Sequence, residues 1–348
     1  MASAANRPPI RDIAELDDAL SEPTEATIRA LASVEGDIVV LGVGGKMGPT
    51  LARMAVKASQ RAGVSRRVIG VSRFSGSPDL QERLRCWGVE TARCDLLDPK
   101  ALAELPEAAN VVYMAGMKFG SSGQQAMTWA MNTFLPGLVA ARYRQSRIVA
   151  FSTANVYGLS AVARGGSVED DEVHPVGEYA MSCLGRERIL EHFSRTNRTP
   201  MAIVRLNYAT ELRYGVLVDI ALQVRAGKPL PLSMGYMNCI WQADANAASL
   251  QALERVSTPP LVFNLSGPEV LSVRRIAEEL GKRWGIQVSF QGSESADALL
   301  TNNTRCFELF GRPPTATAQM IDWIAEWVAR GGANSGKPTH FEERAGNY

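Results

Sequence analysis

The sequence predicts an α/β fold: a doubly wound parallel sheet covered by helices on both faces, with a smaller C-terminal lobe. Three observations predict it. Short apolar segments alternate with segments of helical periodicity from residue 37 to residue 206. The strand-like segments are mostly apolar, as in strands that are buried on both faces. After residue 207 the alternation weakens, which indicates a second, less regular lobe.

The elements follow in chain order. Residues 1–36 are polar and helix-prone, and Ser21-Glu22-Pro23-Thr24 is typical of a turn that starts a helix. Strands are expected at 37–41, 67–72, 89–94, 110–114, 147–152 and 201–206, with helices at 49–61, 80–86, 124–143 and 178–193. Further on, we expect helices near 216–226, 243–254 and 273–284 and strands near 238–241 and 261–265. The chain thus divides into a helical leader (1–36), a sheet domain (37–206), a mainly C-terminal lobe (207–330) and a surface tail (331–348).

Composition narrows the classes of function. The 37 basic and 36 acidic residues leave a net charge of +1, so neither nucleic acid nor an anionic membrane is expected as a main partner. No apolar run reaches the roughly 18–20 residues needed to cross a bilayer, and the N-terminus lacks a signal-peptide core. The five cysteines are scattered and odd in number, which favours reduced thiols and a cytoplasmic location. The three histidines show no metal-ligand spacing, so no metal site is expected.

The strongest local motif is the glycine-rich segment Gly42–Gly48, directly after a buried strand and directly before a helix. Glycine permits a tight turn, lets a pyrophosphate approach the backbone, and lets the helix pack close to the strand. The helix N-terminus then offers unpaired N–H groups to phosphate oxygens. The motif is no P-loop, because no G-K-[ST] closes it. It therefore predicts an NAD(P)-binding domain of the Rossmann type over residues 37–206.

The second predicted strand ends at Ser72-Arg73. An acidic residue at this point would accept hydrogen bonds from the adenine ribose and repel a 2′-phosphate, whereas an arginine attracts that phosphate. Arg73 therefore favours NADP, with NAD as the alternative, and Lys46 would add to the positive site. The opposing interpretation is that Arg73 is only a solvated surface charge.

Several further motifs occur in one order along the chain. They are G-x-x-G-x-x-G at Gly42, Gly45 and Gly48; Cys94-Asp95-Leu96-Leu97-Asp98; Met114-Ala115-Gly116-Met117-Lys118; Phe151–Gly158; Tyr179 on a helix; Arg205-Leu206-Asn207-Tyr208; Trp241–Asp244; and Asn264–Gly267. In this order they resemble the extended short-chain dehydrogenases/reductases, of the NAD-dependent epimerase/dehydratase kind, over residues 36–330. The resemblance implies a Rossmann fold, a nicotinamide dinucleotide and a sugar-like substrate. It also leaves a homodimer as an option, since similar proteins often pair through a four-helix interface.

The resemblance implies roles for individual residues. Thr153 would hold the substrate oxygen, Tyr179 would handle the proton, Lys118 would lie beside the cofactor, and Asn207 would face the substrate. The implied cofactor-binding residues are Gly42, Gly45, Lys46, Met47, Gly48, Ser72, Arg73, Asp95, Leu96, Ala115, Gly116, Lys118 and Tyr179. Arg213 is a candidate for a substrate phosphate or carboxylate, with a surface ion pair as the equal alternative.

One departure from the family stands out. The family pairs its tyrosine with a lysine four residues later, on the same helical face, and here that position holds Cys183. A neighbouring cation lowers the pKa of a phenol, ordinarily about 10, whereas a neutral thiol does not. Three hypotheses follow: another cation, with Lys118 as the candidate, replaces the lysine; Tyr179 works as a neutral hydroxyl donor; or the protein binds the dinucleotide without turnover.

The sequence thus predicts an NAD(P)-dependent oxidoreductase or epimerase-like enzyme that acts on the hydroxyl or keto group of a sugar or nucleotide-sugar. The alternative is a catalytically silent dinucleotide sensor or partner subunit. Epimerisation, dehydration and oxidation all stay open.

Overall fold

The computed structural model describes residues 9–76, 78–118 and 123–347, so residues 1–8 of the predicted leader and residue 348 of the predicted tail lie outside the described residues. Its strands are β1 (Ile38–Leu41), β2 (Val68–Ser72), β3 (Glu90–Arg93), β4 (Asn110–Tyr113), β5 (Arg147–Thr153), β6 (Ser160–Ala161), β7 (Met201–Leu206), β8 (Ala209–Thr210), β9 (Leu230–Pro231), β10 (Tyr236–Met237), β11 (Ile240–Trp241), β12 (Leu261–Leu265), β13 (Leu271–Ser272), β14 (Phe290–Gln291) and β15 (Asp297–Ala298).

The α-helices are α1 (Ile13–Leu20), α2 (Glu25–Ser33), α3 (Gly48–Arg61), α4 (Pro78–Cys86), α5 (Pro99–Ala103), α6 (Gln125–Trp129), α7 (Leu135–Arg142), α8 (Gly177–Asn197), α9 (Val216–Arg225), α10 (Gln242–Gln251), α11 (Val273–Trp284), α12 (Thr304–Phe310) and α13 (Thr317–Ala329). A π-helical segment, Ala130–Phe134, joins α6 to α7. Short 3₁₀ turns occupy Ala154–Tyr157, Val162–Arg164 and Ala252–Glu254.

Seven strands form one central sheet in the order β12-β7-β5-β4-β1-β2-β3, and all neighbours are parallel. The chain moves outward from β1 through β2 to β3, then crosses to β4 and moves outward the other way. In open α/β sheets this reversal leaves a crevice at the carboxyl ends of the two central strands, where ligands bind. The predicted doubly wound α/β fold is therefore confirmed, with the crevice between β1 and β4.

Both faces of the sheet are buried. In β1 the side chains of Ile38 and Val40 belong to one apolar cluster and those of Val39 and Leu41 to the other, because successive side chains point to opposite faces. Helix α3 packs on the first face and helix α7 on the second. This double burial explains why the strand segments lack a polar alternation.

The N-terminal helices α1 and α2 pack on the sheet domain. Asp12 and Thr24 cap them by accepting hydrogen bonds from the backbone N–H groups of Glu15 and Thr27. Helix α2 contacts both α3 and α10, and Leu16, Leu20 and Leu31 are fully buried. The described part of the leader is thus an extra layer on the helices that cover the sheet.

One predicted element belongs elsewhere. Leu261–Leu265 was expected in the C-terminal lobe, but it forms β12 and pairs in parallel with β7, from Leu261 opposite Ala202 to Leu265 opposite Leu206. The sequence could not assign it, because a short apolar strand has the same pattern in either place. Strand β11 is also shorter than the expected 238–241.

The C-terminal segment differs from the expected surface tail. Thr339 is 3% exposed and Phe341 is 1% exposed. The backbone N–H and the hydroxyl of Thr339 donate to Asp219 Oδ2 at 2.7 and 2.6 Å, and Arg344 Nη2 donates to Asp297 Oδ1 at 2.6 Å. An apolar anchor and these polar contacts hold the segment against the lobe, although its composition is that of a loop.

Candidate functional site

The glycine motif forms a tight turn between β1 and α3. Gly42 has φ of +91°, and a Cβ there would lie 2.7 Å from the backbone N of Ala115. At Gly48 a Cβ would lie 2.4 Å from the carbonyl oxygen of Val43. Glycine is thus required at Gly42 by both φ and space, and at Gly48 by the close packing of helix on strand. Met47 precedes α3 without a side-chain cap, so the first N–H groups of the helix point toward this turn.

A cleft of about 210 Å³ opens above this turn. Eight of the residues predicted to bind the cofactor line it: Gly42, Gly45, Ser72, Arg73, Asp95, Leu96, Ala115 and Gly116. They follow the carboxyl ends of β1, β2, β3 and β4, which meet at the same edge of the sheet. We call this the cofactor cleft. Its floor is backbone that side chains would fill, as a dinucleotide requires.

A second cleft, of about 180 Å³, lies beside the first. The predicted residues Lys46, Met47, Lys118, Thr153, Tyr179 and Asn207 line it. The C-terminal lobe adds Tyr214, and the C-terminal segment adds Thr339. The two clefts share two loops, since Gly45 and Gly116 line the first while Lys46 and Lys118 line the second. We call it the reaction cleft.

Tyr179 is hydrogen-bonded to Thr153 and to Cys183 in the reaction cleft. Thr153 Oγ1 already accepts from the backbone N of Asn155 at 3.2 Å and from Asn155 Nδ2 at 2.9 Å, so its one hydrogen is directed to the Tyr179 oxygen. The phenol hydrogen is then directed to the sulfur of Cys183. Burial raises the pKa of the Tyr179 phenol well above its ordinary value, while the charge of Arg186 and the hydrogen bond from Thr153 act to lower it.

Two lysines lie against tyrosine rings in the reaction cleft. Lys118 Nζ lies 5.6 Å from the ring centroid of Tyr179, and burial lowers the pKa of Lys118 to about 8. Lys46 Nζ lies 3.0 Å from the ring centroid of Tyr214. Burial and the positive charges of Lys337 and Lys118 lower the pKa of Lys46 to about 7. Both ammonium groups therefore lose their protons more easily than ordinary lysines do.

Two buried polar side chains beside the clefts were not predicted from the sequence. Arg186, on α8, is 6% exposed and donates from Nη1 to the carbonyl of Phe151 at 2.6 Å and from Nη2 to Asn132 Oδ1 at 2.8 Å. Asn132 is fully buried in the π-helical segment, and its Nδ2 donates to the carbonyl of Met117 at 2.8 Å and to Ser182 Oγ at 3.0 Å. π-Helical turns occur often at functional sites. The spacing of Arg186 from Tyr179, two turns along one helical face, is the signal that could have revealed it.

A buried ion pair fixes α8 to the sheet. Glu187 is 3% exposed and accepts from Arg205 Nη2 at 2.7 Å and from Ser152 Oγ at 2.5 Å. Arg205 Nη1 also donates to the hydroxyl of Tyr157 at 2.7 Å, and that hydroxyl donates to Asn264 Oδ1 at 2.7 Å. This network connects α8 with β5, β7 and β12, and so fixes the height of Tyr179 above the sheet.

The two predicted substrate residues of the lobe differ. Asn207 lines the reaction cleft, and its Nδ2 donates to Asn238 Oδ1 at 2.7 Å. Arg213, in contrast, directs its guanidinium to Glu211 at 3.1 Å and to Asp17 of α1 at 3.0 Å. Of the two interpretations of Arg213, the structure favours the ion pair, because two carboxylates occupy its donors. We therefore do not retain it as a substrate ligand.

In the described part of the chain, no group of three or more His, Cys, Asp or Glu side chains is arranged to hold a metal ion. None of the helices described is both long and apolar enough to span a membrane. The five cysteines are free thiols, of which Cys86 is exposed and the other four are buried.

Comparison with solved structures shows the same fold. UDP-glucuronic acid 4-epimerase from Bacillus cereus, solved with UDP-glucuronic acid and NAD, is 18% identical over 84% of this chain and 99% of its own, with a TM-score of 0.69. A UDP-galactose 4-epimerase is 21% identical over 84% of this chain and 99% of its own, with a TM-score of 0.64. dTDP-glucose 4,6-dehydratase from Bacillus anthracis, solved with NAD, is 15% identical over 85% of this chain and 97% of its own, with a TM-score of 0.69.

Comparison with curated protein sequences gives no match. The sequence model of the NAD dependent epimerase/dehydratase family matches residues 38–215, just over half of the 348 residues. That stretch includes the glycine turn, the Thr153–Tyr179 pair and all but the last strand of the central sheet. The chain therefore belongs to the NAD dependent epimerase/dehydratase family.

Proposed function

We propose that the protein binds a nicotinamide dinucleotide in the cofactor cleft and acts on a hydroxyl or keto carbon of a sugar or nucleotide-sugar in the reaction cleft. The observation that carries the proposal is the Tyr179 phenol, hydrogen-bonded to Thr153 in a cleft that begins where the glycine turn ends. To act on one carbon, the group that moves the proton and the cofactor that accepts the hydride must lie next to each other, as the two adjoining clefts would place them. The proposed cofactor supplies the hydride acceptor.

The chain's own residues would divide the remaining work. Thr153 orients the substrate oxygen by turning its one hydrogen from the Tyr179 oxygen to the substrate, since Asn155 donates to both lone pairs of its hydroxyl group. Tyr179 moves the proton of that oxygen. Lys118 supplies positive charge beside the phenol ring. We propose that residues 207–330, apart from α10 and β12, provide the substrate lobe, with Asn207 at its edge.

Support for a sugar-nucleotide substrate comes from the UDP-glucuronic acid 4-epimerase of similar fold, which was solved with UDP-glucuronic acid and NAD. We propose the class of substrate on this basis, and leave open whether the product is an epimer, a dehydrated sugar or an oxidised one.

The test is turnover with a defined panel. The purified protein is incubated with NAD or NADP and with UDP-glucose, UDP-galactose, UDP-glucuronic acid or dTDP-glucose, and the products are separated by ion-exchange chromatography. Tyr179→Phe should lose roughly 10²–10⁴-fold in turnover, the usual contribution of a general acid or base, and keep its dinucleotide affinity. The control is Tyr143→Phe, because the hydroxyl of Tyr143 lies outside the reaction cleft and donates to the carbonyl of Pro106. Full activity of Tyr179→Phe would exclude this mechanism.

We further propose that the cofactor cleft prefers NADP to NAD. Ser72 is the last residue of β2 and Arg73 follows it, with an exposed side chain at the cleft edge. An arginine there complements a 2′-phosphate. Competition binding of the two dinucleotides should favour NADP in the parent protein, and Arg73→Asp should reverse the order. An unchanged order would make Arg73 a surface charge.

The second candidate function is a silent dinucleotide-binding subunit, and Cys183 favours it because a thiol gives Tyr179 no positive charge. Cys183→Lys distinguishes the two. If the variant gains turnover that the parent lacks, the parent is a decayed enzyme; if a parent with measurable turnover is unaffected, the chemistry uses another cation.

We also propose a homodimer. Met127, Trp129, Phe134 and Met181 are between 39% and 59% exposed on the neighbouring segments α6, Ala130–Phe134 and α8. Large exposed apolar side chains grouped in this way are typical of an interface. Sedimentation of the parent and of Phe134→Glu would test it, with a monomeric parent contradicting the proposal.

A further inference from the structure

The helix that lost the family's lysine carries a buried cation one turn further on. Arg186 follows Cys183 by three residues and Tyr179 by seven, so the three side chains share one face of α8. Cys183 and Arg186 are buried, at 1% and 6% exposed, and Tyr179 is partly buried at the edge of the reaction cleft. The face of α8 that borders the crevice therefore carries a buried positive charge.

The charge of Arg186 has no acidic partner at close range. Its guanidinium donates to the carbonyls of Phe151 and Asn132 and to the side-chain oxygen of Asn132, and all three acceptors are neutral. Among the residues that the structure describes, no carboxylate oxygen lies within 4.0 Å of it, since the neighbouring Glu187 pairs with Arg205. Burying a charge without a close counter-ion is costly, and here three hydrogen bonds to neutral acceptors and the more distant charge of Glu187 offset that cost.

The position of the guanidinium relative to the cofactor cleft is given by Gly116. A Cβ at Gly116 would lie 2.5 Å from Arg186 Nη2, so only a glycine lets the cation approach this loop. Gly116 lines the cofactor cleft. The cation thus lies directly behind the floor of that cleft, on the same side as Tyr179.

We infer that Arg186 is a positioning residue that supplies, from behind the cofactor cleft, the fixed positive charge that Cys183 cannot give to Tyr179. The inference rests on the proposed function, because the charge acts on a bound dinucleotide. A fixed cation favours the phenolate form of Tyr179. It also opposes the positively charged oxidised nicotinamide more than the neutral reduced one, and so favours uptake of hydride.

The test compares dissociation constants of NAD⁺ and NADH, measured by calorimetry, which needs no sugar substrate. Arg186→Gln keeps a hydrogen-bond donor and removes the charge. The dissociation constant of NAD⁺ should therefore fall about tenfold relative to that of NADH, which is the free-energy change that one pKa unit represents. Arg186→Lys should keep the parent's ratio near pH 7. The control is Arg195→Gln, which removes a charge from the exposed end of the same helix and should leave the ratio unchanged.

A purely structural role would weaken both dinucleotides alike, so a parent-like ratio in Arg186→Gln overturns the inference while leaving the proposed function intact. A parent protein that binds neither NAD(H) nor NADP(H) overturns both, and for a parent that binds only NADP⁺ and NADPH the same ratio is measured with that pair. If Arg186→Gln does not fold, Arg186→Lys carries the test alone. A buried lysine loses its proton as pH rises, so the ratio should shift toward NAD⁺ with pH in this variant and stay constant in the parent. A constant ratio in folded Arg186→Lys contradicts the inference.

Discussion

The two walls of the crevice are built in different ways. The cofactor wall is one short run of chain, Gly42–Gly48, whose shape follows from positive φ and close backbone contacts. The opposite wall is α8, where Tyr179 and Arg186 depend on groups from three other elements: Thr153 at the end of β5, Asn132 in the π-helical segment and the buried Arg205 of β7.

This difference indicates which positions around the crevice can be replaced and which cannot. In the glycine turn a Cβ would meet backbone atoms at Gly42 and at Gly48, so these two positions do not tolerate replacement, whereas a Cβ at Gly45 would make only an ordinary contact; this chain keeps all three glycines. On α8 the proposed chemistry requires a positive charge near Tyr179, and we propose that Lys118 and Arg186 supply it from other positions. The chain accordingly keeps Tyr179 and Glu187 but has a thiol at the lysine position.

The largest expected effect tests the long-range support of α8. Glu187→Gln breaks a buried pair with Arg205, and it should lower the free energy of unfolding in urea by about 3–5 kcal/mol, because the guanidinium is left buried without its partner. Glu191→Gln on the same helix removes a partly exposed pair with Arg195, and it should cost less than about 1 kcal/mol. Equal losses in the two variants would mean that α8 does not depend on its buried pair.

The next effect tests the local character of the cofactor wall. Gly42→Ala places a Cβ 2.7 Å from the backbone of Ala115 at φ +91°, so the cradle has to move, and the dinucleotide affinity should fall by about 100-fold, some 2.7 kcal/mol. Gly63→Ala is the matched control, since Gly63 has φ of +68° and open space around its Cβ position. It should cost about 1 kcal/mol of stability and no affinity. Parent-like binding by Gly42→Ala would refute the cradle.

The smallest effect concerns protons. In the free protein the pKa of Lys46 is lowered to about 7, so the side chain is mostly neutral above that pH. A diphosphate nearby favours the ammonium form and raises this pKa, so binding should take up as much as about one proton at pH 8, and affinity should fall as pH rises above 7. Calorimetry in two buffers of different ionisation enthalpy measures the uptake.

Lys46→Met should abolish this proton uptake. Lys57→Met should not change it. Lys57 also lies on α3, but its ammonium group is paired with Asp18 and Glu22. Uptake that persists in Lys46→Met would place the titrating group on the other side of the crevice, with Lys118, whose pKa is lowered to about 8, as the next residue to replace.

Much of the fold was predictable because its elements are marked by local patterns. The strand Met201–Leu206 was predicted to the residue, and α3 to within one residue at its start. The assignment of Leu261–Leu265 to the lobe was wrong, because strand pairing over more than fifty residues leaves no mark in the strand itself. The contacts of Arg213 were equally hidden, since one of its partners, Asp17, is 196 residues away in the sequence.

By itself the sequence determined the doubly wound sheet and the glycine turn, because periodicity, positive φ and close packing are requirements of neighbouring residues on each other. The residues of the reaction cleft were implied by the resemblance to the family and not by such local requirements. Only the tertiary structure decided which charges meet Tyr179. Electrostatic interactions act through space between side chains from distant segments, so the effect of the missing lysine could be judged only once Arg186, Lys118 and Asn132 had been brought to the same place.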